Sequence, residues 1–161
     1  MTTVERWLRE PWCADLKAEA LARWVSGASE QRLRSVIHSR LRTVLLWQIF
    51  RTICHRAQPD IRLNAVVEFR IGGRRGGGID CYRLTLAGGR CRRSRRGRGT
   101  PKLTLELEPV AFLRLVSGAA SPSWLVITGQ LKLRGDLKLA VALPTALRLP
   151  KRRPRASARN R

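Results

Sequence analysis

Acidic residues are scarce in this sequence. Only 11 Asp and Glu stand against 33 Lys and Arg, 28 of them Arg, so the 161-residue chain carries a formal net charge of +22. Such an excess of positive charge is typical of proteins that bind a polyanion, either a nucleic acid or an anionic membrane surface. The preference for Arg is equally typical of a GC-rich genome. The charge therefore indicates a binding role without establishing one.

Long apolar segments are also missing. Apolar runs such as residues 44–47 are far shorter than the roughly 20 residues that cross a bilayer. The amino-terminal residues are charged and mixed, with no continuous apolar stretch of the kind found in a secretory signal. The length suits one domain with one core. We therefore expect a cytoplasmic protein without a transmembrane helix.

Motifs for catalysis or metal binding are few. The four cysteines form no Cys-x-x-Cys pair and only two histidines accompany them, so we expect no metal site. The sequence contains no Gly-x-Ser-x-Gly motif, and no Gly-Lys-Ser or Gly-Lys-Thr follows the glycines at 72–78. Glu106 and Glu108 share a strand face, which an exposed strand explains better than a catalytic pair. We expect no enzymatic activity, no catalytic residue and no cofactor.

The cysteines are predicted to be free thiols. A two-residue turn at residues 88–89 would place Leu86 opposite Cys91, so Cys81 lies out of register with Cys91 and cannot bond to it. A cytoplasmic location also disfavours disulfides.

Helical periodicity dominates the first third of the chain. Residues 1–28 are predicted to form a helical lead-in, which Gly27 ends. Ser29 is a candidate N-cap for one long helix, whose apolar stripe continues to Ile53 and which ends at Pro59.

From residue 64 the apolar period changes from 3.6 to 2, which predicts β-strands. The third strand carries Arg on both faces, so we expect it to be short and to lie at a sheet edge. The predicted strands lie around residues 66–71, 82–86, 91–98, 103–108 and 131–134.

Two helices are predicted in the last third. Pro109 suits the first turn of a helix that ends at Gly118. Asp136 is a candidate N-cap for a final helix, which Pro144 is expected to kink or restart. The apolar residues predicted to form the stripe of this final helix are Leu137, Ala140, Val141 and Leu143. Residues 151–161 are predicted to be a basic, disordered tail.

The order of these motifs is more specific than any one of them. The strand Leu103-Thr-Leu-Glu-Leu, the helix from Pro109 to Gly118, and the run Gly129-Gln-Leu-Lys-Leu-Arg-Gly135-Asp136 follow one another before the last helix. In this order they resemble the sterol carrier protein type-two family, which carries a G-x-L-x-I/L-x-G-D run at that place. The resemblance covers residues 29–150 and indicates a bacterial single-domain member of the family.

The resemblance implies an α+β fold, in which a five-stranded, mostly antiparallel sheet with helices on one face encloses a hydrophobic tunnel. It implies a non-enzymatic carrier of a fatty acid, an acyl-CoA or a sterol. The residues that would line the tunnel are Phe112, Leu115, Val116, Leu131, Leu133, Leu137, Ala140 and Val141. Arginines at the rim could hold an anionic head group or an anionic membrane, and the candidates are Arg92, Arg93, Arg95 and Arg96.

Two other hypotheses stay open, as does the oligomeric state. The chain could be a nucleic-acid-associated protein that binds phosphates through residues 90–98 and residues 148–161. The Arg-rich segment has no interleaved aromatic residues for base stacking, so such binding would be electrostatic. Alternatively, residues 1–28 could recruit a protein partner.

Overall fold

The computed structural model describes residues 23, 25, 27–95, 97 and 99–150. Arg23, Val25 and Gly27 are helical, and Val25 is buried in the core. The rest of the predicted lead-in and the predicted basic tail lie outside the described residues.

Helices and strands follow one another in an α+β order. The elements are α1 (Glu30–Ile37), α2 (Arg42–Arg56), β1 (Ala65–Ile71), β2 (Asp80–Ala87), β3 (Arg90–Ser94), β4 (Leu103–Leu107), α3 (Pro109–Val116), α4 (Pro122–Ile127), β5 (Leu131–Gly135) and α5 (Leu137–Ala146). No helix among the described residues is long and apolar enough to cross a membrane.

The five strands form one sheet in the order β3-β2-β1-β4-β5. Strands β1, β2 and β3 form an antiparallel meander, and β5 is antiparallel to β4. The pairing of β1 with β4, at the centre, is parallel. The α+β fold with a mostly antiparallel five-stranded sheet is thus confirmed, and β3 lies at an edge, as its arginines predicted.

Burial alternates along β1, β2 and β4, so one face of the sheet belongs to the core and the other is half-exposed. Phe50 of α2 lies at the centre of that core. Its ring is 4.5 Å from that of Tyr82, 5.1 Å from that of Phe112 and 5.2 Å from that of Phe69, centroid to centroid. Aromatic pairs at these distances contribute about 0.5–1.5 kcal/mol each beyond the area they bury. We call these four rings the aromatic cluster.

The single long helix predicted from Ser29 is wrong, because the chain forms two helices, α1 and α2. Ser39 lies between them, where its Oγ donates to Val36 O at 2.6 Å and accepts from Leu41 N at 3.2 Å. A Ser side chain that bonds to nearby backbone competes with the helical hydrogen bonds and ends α1. The N-cap prediction is confirmed, since Ser29 Oγ accepts from Arg32 N at 3.4 Å.

A buried ion pair joins α2 to the β1–β2 hairpin. Arg42 Nε donates to Asp80 Oδ2 at 2.8 Å, and both side chains are less than a tenth exposed. The same guanidinium donates to Ile71 O at 3.1 Å and to Gly72 O at 2.5 Å. The start of α2 is therefore fixed over the end of β1.

The predicted start and end of α3 and the predicted N-cap of α5 are confirmed. Pro109 begins α3, and Gly118 follows it with φ +75°, where a helix commonly ends. Asp136 caps α5, because its Oδ1 accepts from Lys138 N at 2.9 Å and from Leu139 N at 3.1 Å.

The buried face of α5 differs from the predicted one. The core contains Leu139, Leu143 and Ala146, whereas Leu137 and Val141 expose 63% and 82% of their surface. Since α5 is apolar around most of its circumference, spacing alone allowed more than one stripe. Pro144 lies inside the helix, which continues to Ala146.

Replacing Asp80 tests the buried ion pair. We expect Asp80→Asn to lower the free energy of unfolding by about 3–5 kcal/mol, because it leaves the Arg42 charge buried without its partner. Glu30→Gln is the control. It removes two solvent-accessible pairs, in which Arg34 NH2 lies 2.7 Å from Glu30 Oε1 and Arg114 NH2 lies 3.6 Å from Glu30 Oε2, and should change stability by less than about 1 kcal/mol. Urea unfolding measures both, and equal losses would contradict this role of the ion pair.

Two glycines with positive φ give a second stability test. At Gly135, with φ +111°, an added Cβ would collide with Lys102 O, whereas at Gly129, with φ +72°, nothing lies within 4 Å of that position. We expect Gly129→Ala to cost about 1 kcal/mol of stability for the left-handed backbone alone. Gly135→Ala should cost at least about 1 kcal/mol more, because the β4 backbone has to move. Thermal unfolding of both variants measures these two losses of stability. A larger loss for Gly129→Ala than for Gly135→Ala would contradict the close approach at Gly135.

Candidate functional site

The predicted tunnel residues fall into a buried and an exposed group. Phe112 belongs to the aromatic cluster and is fully buried. Leu115, Val116 and Leu131 are at most 5% exposed. Leu133 and Ala140 are half-buried, while Leu137 and Val141 are the exposed residues of α5 described above. Ligand contact by these residues stays a prediction.

The partly exposed members belong to edge strand β5 and to α5, the helix that follows it. Leu133 pairs with Leu105 and so faces the core side. Both α4 and α5 contact β5, and α5 begins directly after that strand. We call Leu133, Leu137, Ala140 and Val141 the apolar edge. Apolar side chains left open beside a core are candidates for contact with an apolar ligand.

The predicted head-group arginines lie on both faces of the sheet, because successive residues of β3 point to opposite sides. Arg92 pairs with Thr85 and lies on the half-exposed face, whereas Arg93 pairs with buried Leu84 and lies on the core side. Arg95 lies on the core side as well, with its guanidinium 5.5 Å from the Tyr82 ring centroid. Arg96 lies outside the described residues.

Arg93 is held between β3 and α2. Its guanidinium lies 3.9 Å from the ring centroid of Trp47, and its NH1 donates to Trp47 O at 3.0 Å. A cation stacked on an indole ring contributes about 0.5–1 kcal/mol at an exposed site and more when desolvated. This contact fixes the position of the Arg93 charge.

A cationic pocket of about 610 Å³ lies between the second half of α2 and β3. Four arginines contribute to its wall, and none of its lining residues is acidic. A concave site with charges of one sign focuses the potential and attracts anions. The lining residues of this cationic pocket are Arg51, Cys54, His55, Ala57, Gly89, Arg90, Cys91, Arg92 and Arg93.

Two thiols meet in the wall of the cationic pocket. Cys91 donates a hydrogen bond to Cys54, which lowers the pKa of Cys54, and the nearby Arg93 charge lowers it further while burial opposes. The pKa of Cys91 is raised by that same hydrogen bond, by burial and by the Cys54 charge. Cys54, Cys81 and Cys91 are free, as predicted, whereas Cys13 lies outside the described residues.

The turn and register predicted around these cysteines are confirmed. Gly88 and Gly89 have φ +57° and +73°, as a two-residue hairpin turn requires, and Leu86 pairs with Cys91. Cys81 pairs with Arg70 on the half-exposed face. Sequence analysis missed the contact between Cys54 and Cys91. The register already directed Cys91 to the core side, but no sequence signal placed it beside α2.

The cationic pocket and the apolar edge lie at opposite edges of the sheet. Four strand spacings separate β3 from β5, about 19 Å at roughly 4.8 Å each. The aromatic cluster fills the core between them. The structure therefore separates the predicted apolar and anionic contacts into two sites. Within the described residues, no group of three or more His, Cys, Asp or Glu side chains is placed to hold a metal ion.

Solved structures share the fold at low sequence identity. The methyltransferase MycE of the mycinamycin biosynthetic pathway matches with a TM-score of 0.56 and 14% identity, over 87% of this chain and 36% of that one. The sec-alkylsulfatase Pisa1 from Pseudomonas sp. matches with a TM-score of 0.51 and 15% identity, over 71% of this chain and 17% of that one. Sterol carrier protein 2 from Yarrowia lipolytica matches with a TM-score of 0.46 and 18% identity, over 91% and 98% of the two chains.

Sequence comparison identifies the family. No curated protein matches the chain. The family model described as the SCP-2 sterol transfer family matches residues 54–148, more than half of the chain. The matched region begins near the end of α2 and includes the whole sheet, α3, α4 and α5. The chain therefore belongs to the SCP-2 sterol transfer family, whose members bind and transfer lipids.

Proposed function

We propose that the protein carries one fatty acid, acyl-CoA or sterol molecule without chemically changing it, and that the apolar part of this lipid enters at the apolar edge. The observation that carries the proposal is the exposure of Leu137 and Val141 in a member of a lipid-transfer family. Water leaves these side chains when a lipid covers them, and each buried methylene contributes about 0.8 kcal/mol.

The buried tunnel candidates extend this site inward. Leu133 lies beside Leu105 on the core side, and Leu131 lies beside Leu107. From there the core continues through Leu115 and Val116 to Phe112. We propose that a bound chain or ring system enters by displacing α5 from β5 and ends against the aromatic cluster. A hydrophobic tunnel then exists in the loaded protein.

We propose the cationic pocket as the contact with an anionic membrane surface. Arg90 and Arg92 are exposed on edge strand β3, and Arg51 is exposed on α2. Each basic residue near an anionic membrane adds about 1 kcal/mol of attraction. The pocket lies opposite the apolar edge, so membrane contact leaves the proposed lipid entrance free. The comparisons give no support to the nucleic-acid alternative.

The lipid site is tested with two exposed apolar residues. Val141 is 82% exposed at the apolar edge, and Ile61 is 75% exposed in the α2–β1 connection. Introducing Asp at either place leaves the core intact. We expect Val141→Asp to weaken lipid binding at least about tenfold, because a buried Val is worth about 1.5–3 kcal/mol, and Ile61→Asp to leave it unchanged.

Native mass spectrometry of delipidated protein with palmitate, palmitoyl-CoA and cholesterol gives the measurement. If the wild-type chain binds none of the three, the proposed function is wrong. If Val141→Asp and Ile61→Asp bind equally well, the lipid does not enter at the apolar edge.

Membrane contact is tested with two double variants of equal charge. Arg90→Gln/Arg92→Gln removes two charges from the cationic pocket, and Arg32→Gln/Arg40→Gln removes two exposed charges elsewhere. With vesicles rich in phosphatidylglycerol, we expect the pocket variant to bind roughly 30-fold more weakly, at about 1 kcal/mol per charge, and the control to change less. Cosedimentation measures both, with phosphatidylcholine vesicles as the neutral comparison. Equal losses would show that membrane binding follows net charge and does not use the pocket.

A further inference from the structure

The proposed lipid site does not include the two thiols of the cationic pocket. They come from distant parts of the chain, Cys54 from the last turn of α2 and Cys91 from β3. Both are half-buried, and both pack against the core while lining the open pocket. Reagents in solution can therefore reach both thiols from one pocket.

The charges around the pair favour a reactive thiolate. Besides Arg93, the pocket wall holds Arg51, Arg90 and Arg92, and His55 is next to Cys54 in the chain. Thiols in a cationic, partly exposed environment are more ionised than isolated ones, and the thiolate is the form that attacks peroxides. Cys91 donates the hydrogen bond and keeps its proton. The two sulfurs are thus suited to different roles, attack by Cys54 and resolution by Cys91.

We propose that Cys54 and Cys91 form a reversible peroxide-sensitive dithiol, in which a hydroperoxide oxidises Cys54 and Cys91 then closes a disulfide between α2 and β3. In the first step the Cys54 thiolate attacks one peroxide oxygen and the O–O bond breaks. Cys54 becomes a sulfenic acid, and the other oxygen leaves with a proton as an alcohol or as water. The sulfur loses two electrons and the peroxide gains them.

In the second step Cys91 loses its proton and attacks the Cys54 sulfur. The S–O bond breaks, the S–S bond forms, and the hydroxide leaves with that proton as water. The sum is two thiols and one hydroperoxide giving one disulfide, one alcohol and one water.

A disulfide needs Cβ atoms about 3.8 Å apart. β3 is an edge strand that pairs with β2 alone, and Arg93 already holds it against Trp47 of α2.

Cys81 provides a matched control within the same molecule. It is half-buried like Cys54 and Cys91, but it lies on the other face of the sheet, beside Arg70. Reduced full-length protein is treated with hydrogen peroxide, digested, and mapped by mass spectrometry with and without dimedone, which traps sulfenic acids.

We expect a linkage between the peptides of Cys54 and Cys91 that dithiothreitol removes and that persists in Cys81→Ser. In Cys91→Ser the sulfenic acid at Cys54 has no resolving thiol, so dimedone should label Cys54 at least about tenfold faster than Cys81, which lies outside the cationic pocket. Linkage of any other cysteine pair in place of this one, or equal labelling of Cys54 and Cys81, would overturn the proposal. Both readouts are independent of lipid binding, so this proposal and the proposed function fail separately.

Discussion

The ion pair between Arg42 and Asp80 determines how the helices lie on the sheet. It fixes the first residue of α2 over the first residue of β2, and the two elements then run side by side. From Arg42 to Cys54 a helix rises about 18 Å, and from Asp80 to Leu86 a strand extends about 20 Å. Phe50 stacks on Tyr82 between these two ends, and Cys54 and Cys91, the partner of Leu86, line the same pocket at the far end. The aromatic cluster and the cationic pocket thus both depend on one buried contact.

The two edges of the sheet differ in chemistry because different elements cover them. At β3 the covering helix is α2, whose outer side carries Trp47 and Arg51, so arginines and an indole ring meet there. At β5 the cover is α4 and α5, which are apolar on their outer sides at Ile127 and Val141 as well. The family fold therefore supplies the sheet, and the residues at its two edges give this member its particular combination of surfaces.

Features that depend on neighbouring residues were predictable from the sequence. The strand alternation, the caps at Ser29 and Asp136 and the turn at residues 88–89 all depend on contacts within a few residues. The register from that turn also determined which β3 arginines face the core. The break at Ser39 was not predictable, because the apolar stripe continues through it. The buried side of α5 and the meeting of Cys54 with Cys91 depend on how helices dock on the sheet, which no local pattern contains.

The parallel pairing of β1 with β4 has a consequence for the order of assembly. The meander of β1, β2 and β3 is local in sequence, yet it leaves β1, the middle strand of the finished sheet, with an unpaired side until β4 arrives. The segment that connects β3 to β4 crosses back over the sheet. Arg83 holds this segment, because its guanidinium donates to Gly97 O at 2.6 Å and to Gly99 O at 3.0 Å. During synthesis on the ribosome, a chain that has emerged only as far as this segment presents a strand rich in Val and Phe to its surroundings. Such an open strand is a template for intermolecular pairing, so the interval before β4 emerges is when this protein is most prone to aggregate.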